Sequence, residues 1–308
     1  MKKVRMDFWE RIMLIEGVRI PVLGGILYRS LSELARKRVK KIKTESLSLN
    51  KEPRDMKLVC TLTSFPDRID TVQYTIKTLF NQSMKPDRIV LWLAEEEFKD
   101  KSMPDSIIAL QERGLEIRYC ENVFGHKRYY KLIEEQKEDE CIVMFDDDIL
   151  FSKFIIERLY EKWMENKHCI VCDRGQVATF DNGKVVNPGR WSSTSSVGID
   201  TPSYSILASP GGGCLIPHGA LCKDANNVDL IRKYALKTGD IWLMYMAAEN
   251  DTPIVRTHKN HRTFILSEKE QTVQLGKEAI YLGRYEKTFL ELAEAYPHAY
   301  DNICSEAK

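Results

Sequence analysis

Between residues 57 and 145, short apolar runs alternate with stretches of helical period, and this alternation constrains the fold more than any other feature. "KLVCTLTSF" reads as a buried strand. In "DTVQYTIKTLFNQ" the apolar Val72, Ile76, Leu79 and Phe80 recur at helical spacing. "DRIVLWLA" is a second strand, and "PDSIIALQERG" is a helix opened by Pro104 and closed by Gly114. "LEIRYCEN", "HKRYYKLIEEQKE" and "CIVMFD" continue as strand, helix and strand. Strands spaced this way predict an α/β fold: a mostly parallel central sheet with helices on both faces. Ligands of such sheets sit beyond the carboxyl ends of the strands. Thr63, Ser64, Glu95 and the run Asp146, Asp147, Asp148 all fall there.

The run of three aspartates is the chemical landmark. Adjacent carboxylates repel, and partial burial worsens the repulsion. A hard divalent cation relieves it, because Mg²⁺ and Mn²⁺ prefer oxygen ligands and are commonly held by one or two carboxylates plus substrate phosphates. Asp146 and Asp148 are expected to share one side of the loop, leaving Asp147 facing a sugar or solvent. No glycine-rich phosphate loop follows the first strand. "TLTSFPDR" is neither a dinucleotide fingerprint nor a Walker loop, which argues against a dehydrogenase or a P-loop ATPase.

Past residue 150 the pattern changes. "FSKFIIERLYEKWMEN" reads as a helix, "CIVCD", "VATF" and "KVVN" as short strands around the turn "DNG", and "SPGGGCLIP" and "TGDIWLMYMAAEN" follow. The expected organisation is a basic segment and linker over 1–55 and a main domain over 56–265. That domain divides into a first half (56–150) and a mixed α+β half (151–265). A helical segment over 266–308 completes the chain.

The chain has 308 residues, 43% of them hydrophobic and 30% charged, enough for a normal core. A net charge of +1 argues against a whole-protein nucleic-acid binder. The 8 cysteines include one Cys-x-x-Cys, Cys169 and Cys172, without the second pair a zinc ribbon needs. They read as buried free thiols of a reducing cytosol. Residues 1–43 carry twelve Lys and Arg against four Asp and Glu, a local excess of +8. Phe8, Trp9, Ile12, Met13 and Ile15 fall on one helical face. Charges interrupt every apolar stretch, so neither a signal peptide nor a bilayer span is expected. The segment suits an anionic membrane surface, or a helix packed on the protein's own body with "RKRVKKIK" as a solvated linker.

The stretch "LTSFPDRIDTVQYTIKTLFNQSMKPDRIVLWLAEEEF", the strand-final "FDDDI", "GGGCLIP" and "GDIWL" together resemble bacterial GT-A fold glycosyltransferases. The likeness is to the family-2-like enzymes of capsule and lipopolysaccharide assembly, over about residues 57–265. The resemblance implies that 56–265 is a catalytic domain, with 56–150 its nucleotide-binding half and 151–265 its acceptor half. It also implies a sheet-based nucleotide-sugar site with Mn²⁺ or Mg²⁺. Thr63, Ser64, Phe65, Arg68 and Glu95 would contact the nucleoside, and Lys127 and Arg128 the sugar nucleotide. Asp146, Asp147 and Asp148 would serve donor and metal, with His258 or His261 completing the metal site. Gly211, Gly212, Gly213 and Trp242 would meet donor sugar or acceptor. Asp240 would be the general base of an inverting transfer. In relatives an acidic pair precedes the Ile-Trp, whereas here the first position is Gly239. The partners implied are a UDP-sugar and a glycan or polyprenyl-linked acceptor. The place implied is cytoplasmic, peripheral on the inner face of the membrane through residues 1–43.

Plainer readings stand beside these. Thr63 and Ser64 also suit helix caps, Asp240 an N-cap, Lys127 and Arg128 a solvated helix start. The glycines suit a tight turn, His258 the surface, and Trp242 and Trp191 the core. Three further functions compete: a retaining transferase on the same fold, a non-catalytic scaffold of a polysaccharide complex, and an Asp-nucleophile phosphatase. The last expects its motif on the first strand, not the fourth.

Overall fold

The computed structural model describes residues 21–181, 184–192, 195–259, 264–265 and 283–305. The first half alternates as its apolar pattern dictates. Helix α1 (Pro21–Lys40) precedes β1 (Lys57–Thr63), α2 (Val72–Phe80), β2 (Arg88–Ala94), α3 (Asp105–Gln111), β3 (Leu115–Cys120), α4 (Tyr130–Glu135) and β4 (Glu140–Met144). Beyond the aspartates come β5 (Ile149–Leu150), α5 (Ile155–Glu165), β6 (Ile170–Cys172), β7 (Gly175–Val177), the hairpin strands β8 (Phe180–Asp181) and β9 (Lys184–Val185), β10 (Ile206–Ala208) and β11 (Cys214–Pro217). Short α6 (Val228–Leu230), α7 (Gly239–Ala248), β12 (Ile254–Arg256), β13 (Phe264–Ile265), α8 (Arg284–Ala295) and α9 (Pro297–Ser305) complete the described chain.

Seven strands form the central sheet in the order β12-β6-β11-β4-β1-β2-β3. β1 pairs in parallel with β2 and β4, and β2 with β3. β11 enters antiparallel between β4 and β6, and β12 pairs in parallel with β6. The architecture is therefore the expected mostly parallel sheet with flanking helices. β4 shows why its sequence reads as one apolar run. Cys141, Val143 and Phe145 pack on one face with α2, α3 and α5, while Ile142 and Met144 pack on the other with α7, α8 and α9. A strand buried on both faces has no polar alternation. Burial on all sides likewise makes α7 apolar throughout, with Ile241, Trp242, Met244, Tyr245 and Met246 all in the core.

Three expectations change. "HKRYYKLIEEQKE" is not one helix: Phe124–Arg128 is a 3₁₀ turn and α4 begins at Tyr130. Tertiary bonds hold the break, since Thr61 Oγ1 donates to Arg128 O at 2.7 Å and His126 Nε2 bonds Ala235 O at 2.8 Å. The linker over 44–55 is strapped to the body. Leu47 is buried, and its carbonyl accepts from Arg113 Nε at 2.9 Å and Nη2 at 2.8 Å. "RKRVK" is the last turn of α1 rather than a linker, with Val39 buried against Leu150. The apolar face of Phe8 to Ile15 lies outside the described residues. The cysteines among the described residues are free thiols, six of them buried.

Candidate active site

The parallel register brings the ends of β1, β2 and β4 to one edge of the sheet. Thr63 lies opposite Trp92, and Thr61 opposite Met144. Phe145 N extends the ladder to Thr61 O at 2.9 Å, after which the three aspartates leave the sheet. They open into a cavity of about 510 Å³ whose wall also carries Ser64, Arg68, Lys127, Arg128, Gly211, Lys237 and Asp240.

The three aspartates are not equivalent. Asp147 turns inward, where Ser64 Oγ donates to its Oδ2 at 2.6 Å and Arg68 Nη1 to its Oδ1 at 2.6 Å. Asp147 still lines the cavity, but its carboxylate is committed to Ser64 and Arg68 and is largely buried rather than facing solvent. Its neighbours explain the placement, because Thr75 Oγ1 donates to both Asp147 O and Ile149 O and pins the loop onto α2. Asp148 lies 3.1 Å from the same Arg68 nitrogen. Asp146 pairs with Arg128 Nη1 across the cavity floor. Burial, followed by repulsion from Asp146 and Asp147, pushes the Asp148 carboxyl up to about 7. Burial likewise raises Asp147 against the opposing pull of Arg68.

Asp240 lies in the first turn of α7. Burial raises its carboxyl to about 6, with Arg128 opposing and Asp146 adding to the rise. Arg128 therefore stands in the field of both carboxylates. Its side chain is fixed by a bond from Nε to Gly125 O at 2.9 Å. Gly239 makes room for the approach: a Cβ there would lie 3.4 Å from the His126 ring nitrogen. His126 is fully buried and held near pKa 4 chiefly by burial, so it stays neutral beneath the start of α7.

Several residues that the resemblance placed at the site are elsewhere. Glu95 is exposed and absent from the cavity wall, while Glu97, two residues on, lines it and lies 3.9 Å from Lys127 Nζ. Trp242 is fully buried, its indole donating to Ala225 O at 3.0 Å and its ring against Tyr296, so it cannot meet an acceptor. His258 is buried and absent from the cavity wall, with Nδ1 3.2 Å from Thr257 Oγ1 and 3.8 Å from Asp173 Oδ1. Asp173 belongs to a separate buried ion pair with Arg158, Nη2 to Oδ2 at 3.1 Å. His261 lies outside the described residues. Of the three glycines, Gly211 lines the cavity, where a Cβ would lie 3.0 Å from Asp146 Oδ2. Gly212 instead abuts Arg174, and Gly213, at φ +90°, abuts Phe145 and Leu159. Thr63 and Phe65 reach the wall, but the Thr63 hydroxyl is committed to Trp92 O at 2.8 Å, and Phe65 packs under Arg68.

The structure adds wall residues with weak sequence signals. Lys237, three residues before Asp240, sits over the Phe124 ring at 4.9 Å. Arg174 follows the end of β6, a position the strand-end rule could have flagged. Tyr285 comes from α8, more than a hundred residues from the aspartates, and no local pattern announces it.

The donor set fits a divalent cation that arrives with a phosphate ligand. Asp146 and Asp148 are the accessible carboxylates, and their mutual repulsion is what a cation would neutralise. Among the described residues no group of three or more His, Cys, Asp or Glu is arranged to hold a metal alone. Two carboxylates completed by phosphate oxygens is the usual arrangement for Mg²⁺. The cations on the wall match the same anionic ligand.

No protein-family model and no curated protein matches the sequence. Solved structures with a similar fold include a mannosyltransferase from Pyrobaculum calidifontis in complex with GDP-Man and Mn²⁺ (10% identity, 97% of this chain, 87% of that one, TM-score 0.44). Another is a glucosyl-3-phosphoglycerate synthase from Mycobacterium tuberculosis in complex with Mn²⁺, UDP-glucose and phosphoglyceric acid (12% identity, 80% and 88%, TM-score 0.41). A third is a 2-C-methyl-D-erythritol 4-phosphate cytidylyltransferase from Francisella tularensis (14% identity, 72% and 98%, TM-score 0.43).

Proposed function

We propose that this chain is a metal-dependent glycosyltransferase of the GT-A type, moving a sugar from a nucleoside diphosphate sugar to a glycan hydroxyl. One observation carries the reading: Asp146 and Asp148 at the end of β4, and Asp240 at the start of α7, open into the same cavity with Arg128 between them. Lys127, Arg128 and Lys237 would bind and orient the diphosphate. A divalent metal held by Asp146 and Asp148 would neutralise the charge that develops on the leaving diphosphate. Arg68 and Ser64 anchor Asp147, and so hold the backbone that presents Asp148.

Asp240 suits the base. A carboxyl raised to about 6 is ionised at neutral pH yet more basic than an exposed aspartate. The acceptor oxygen bonds to the anomeric carbon as that carbon's bond to phosphate oxygen breaks. The bonding pair leaves on the diphosphate and the acceptor proton passes to Asp240. One direct displacement inverts the anomeric centre. By the resemblance, the donor is a UDP-sugar and the acceptor a polyprenyl-linked glycan of bacterial surface polysaccharide, met at the cytoplasmic face of the membrane. The test is transfer from a panel of UDP- and GDP-sugars, with Asp240→Asn alongside. The variant should lose transfer and keep metal-dependent nucleotide binding. Near-normal turnover in the variant would remove Asp240 as the base.

A further inference from the structure

Helix α1 ends in a patch of positive charge that the proposed chemistry does not use. Lys37, Arg38, Lys40, Lys41 and Lys43 are all exposed, and Glu33, the one acid from residue 30 to 43, lies 3.1 Å from Arg36 and 3.9 Å from Lys37. The exposed Leu34, at 41%, lies one helical turn before Arg38. With residues 1–43 at +8 and the whole chain at +1, everything outside this segment is net acidic.

One short strand links α1 to the cavity wall. Within β5, Ile149 lines the cavity wall, and the next residue, Leu150, packs on Val39 of α1. Lys40 Nζ lies 5.7 Å over the ring of Tyr74 on α2. Consecutive residues of this short strand, which begins directly after Asp148, point to opposite sides, so β5 lies between α1 and the cavity. We propose that the exposed basic end of α1 and the residues to Lys43 dock on a bilayer containing anionic lipid, and thereby hold the chain at the membrane surface. This deepens the glycosyltransferase reading and rests on it for the identity of what the cavity meets there.

Charge complementarity selects the occupant. Anionic headgroups attract Lys and Arg near the membrane surface within a Debye length. A nucleic acid long enough to run past the patch would meet the acidic remainder of the chain. Among the described residues no helix is long and apolar enough to cross a membrane.

The experiment is co-flotation of the full chain with phosphatidylcholine vesicles and with vesicles containing about a third phosphatidylglycerol. The wild type should float with the anionic vesicles and not the neutral ones, and high salt should release it. Combining Lys37→Gln, Arg38→Gln, Lys41→Gln and Lys43→Gln should weaken partitioning about fivefold per charge removed. These side chains are exposed, and unchanged circular dichroism would show the variant folded. Equal flotation with both vesicles, none with either, wild-type partitioning by the variant, or capture of RNA but not vesicles would each overturn the proposal. Metal-dependent UDP binding, measured on the same preparations, reports on the cavity separately. A loss of vesicle binding alone leaves the transferase reading standing.

Discussion

Arg68 holds Asp147 at 2.6 Å and Asp148 at 3.1 Å through a single guanidinium nitrogen. The middle aspartate is therefore a structural anchor, and its more accessible neighbours are the ones a ligand can reach. Breaking a buried pair strands a charge. Arg68→Ala should cost roughly 3–5 kcal/mol of stability, measured by urea unfolding at pH 7.5. It should also weaken nucleotide binding by loosening the loop that presents Asp148.

Asp240 should show itself twice in pH dependence. As a base it must be ionised, so turnover should fall as pH drops through about 6. Its effect on stability has the opposite sign. A carboxyl raised on folding binds its proton more tightly in the folded chain than in the unfolded one. That contribution is fully present below the unfolded value of about 4 and is lost as pH rises through about 6. Asp240→Asn should then stabilise the protein at pH 7.5, by about 1–3 kcal/mol, and change little at acid pH. Thermal melts at the two pH values check this.

Gly211 and Gly212 should separate function from stability. At Gly211 a Cβ would lie 3.0 Å from Asp146 Oδ2, so Gly211→Ala should displace that carboxylate and weaken Mn²⁺-dependent nucleotide binding with little change in melting temperature. At Gly212 a Cβ would lie 2.6 Å from Arg174 Cβ and 2.8 Å from its backbone nitrogen. Gly212→Ala should cost about 1–3 kcal/mol in unfolding experiments, as overpacking does.

Metal binding should depend on pH through Asp148. A carboxyl raised to about 7 must lose its proton to take a cation. Mn²⁺ affinity in the presence of UDP should rise from pH 6 to pH 8, with proton release visible as a buffer-dependent heat in calorimetry. A pH-independent affinity would separate Asp148 from the metal.

The sheet was legible because β1, β2 and β4 are buried on both faces, and a strand covered on both faces reads as a short unbroken apolar run. The placing of Asp146, Asp148, Arg128, Gly211 and Asp240 on one cavity came from strand-end position and resemblance together. What failed depended on side-chain direction. Glu95 and Glu97 lie in the same turn after β2, and the chain path past Ala94 decides which one reaches the wall. Trp242 follows Asp240 by two positions, about 200° around a helix, which turns it to the opposite face and into the core. His258 follows β12 and is buried beside Asp173, whose ion pair with Arg158 joins segments no local pattern connects. Tyr285 reaches the cavity because α8 folds back over α7, with Phe289 O accepting from Tyr245 at 2.8 Å.

The most direct measurement is a calorimetric titration of UDP and GDP into the wild type and Asp148→Ala, each with Mn²⁺ and with chelator. Binding of one nucleotide that needs Mn²⁺ and is lost in Asp148→Ala is the predicted result. Failure of folded wild type to bind either nucleotide, or binding that neither chelator nor Asp148→Ala weakens, would contradict a metal-nucleotide site at the end of β4.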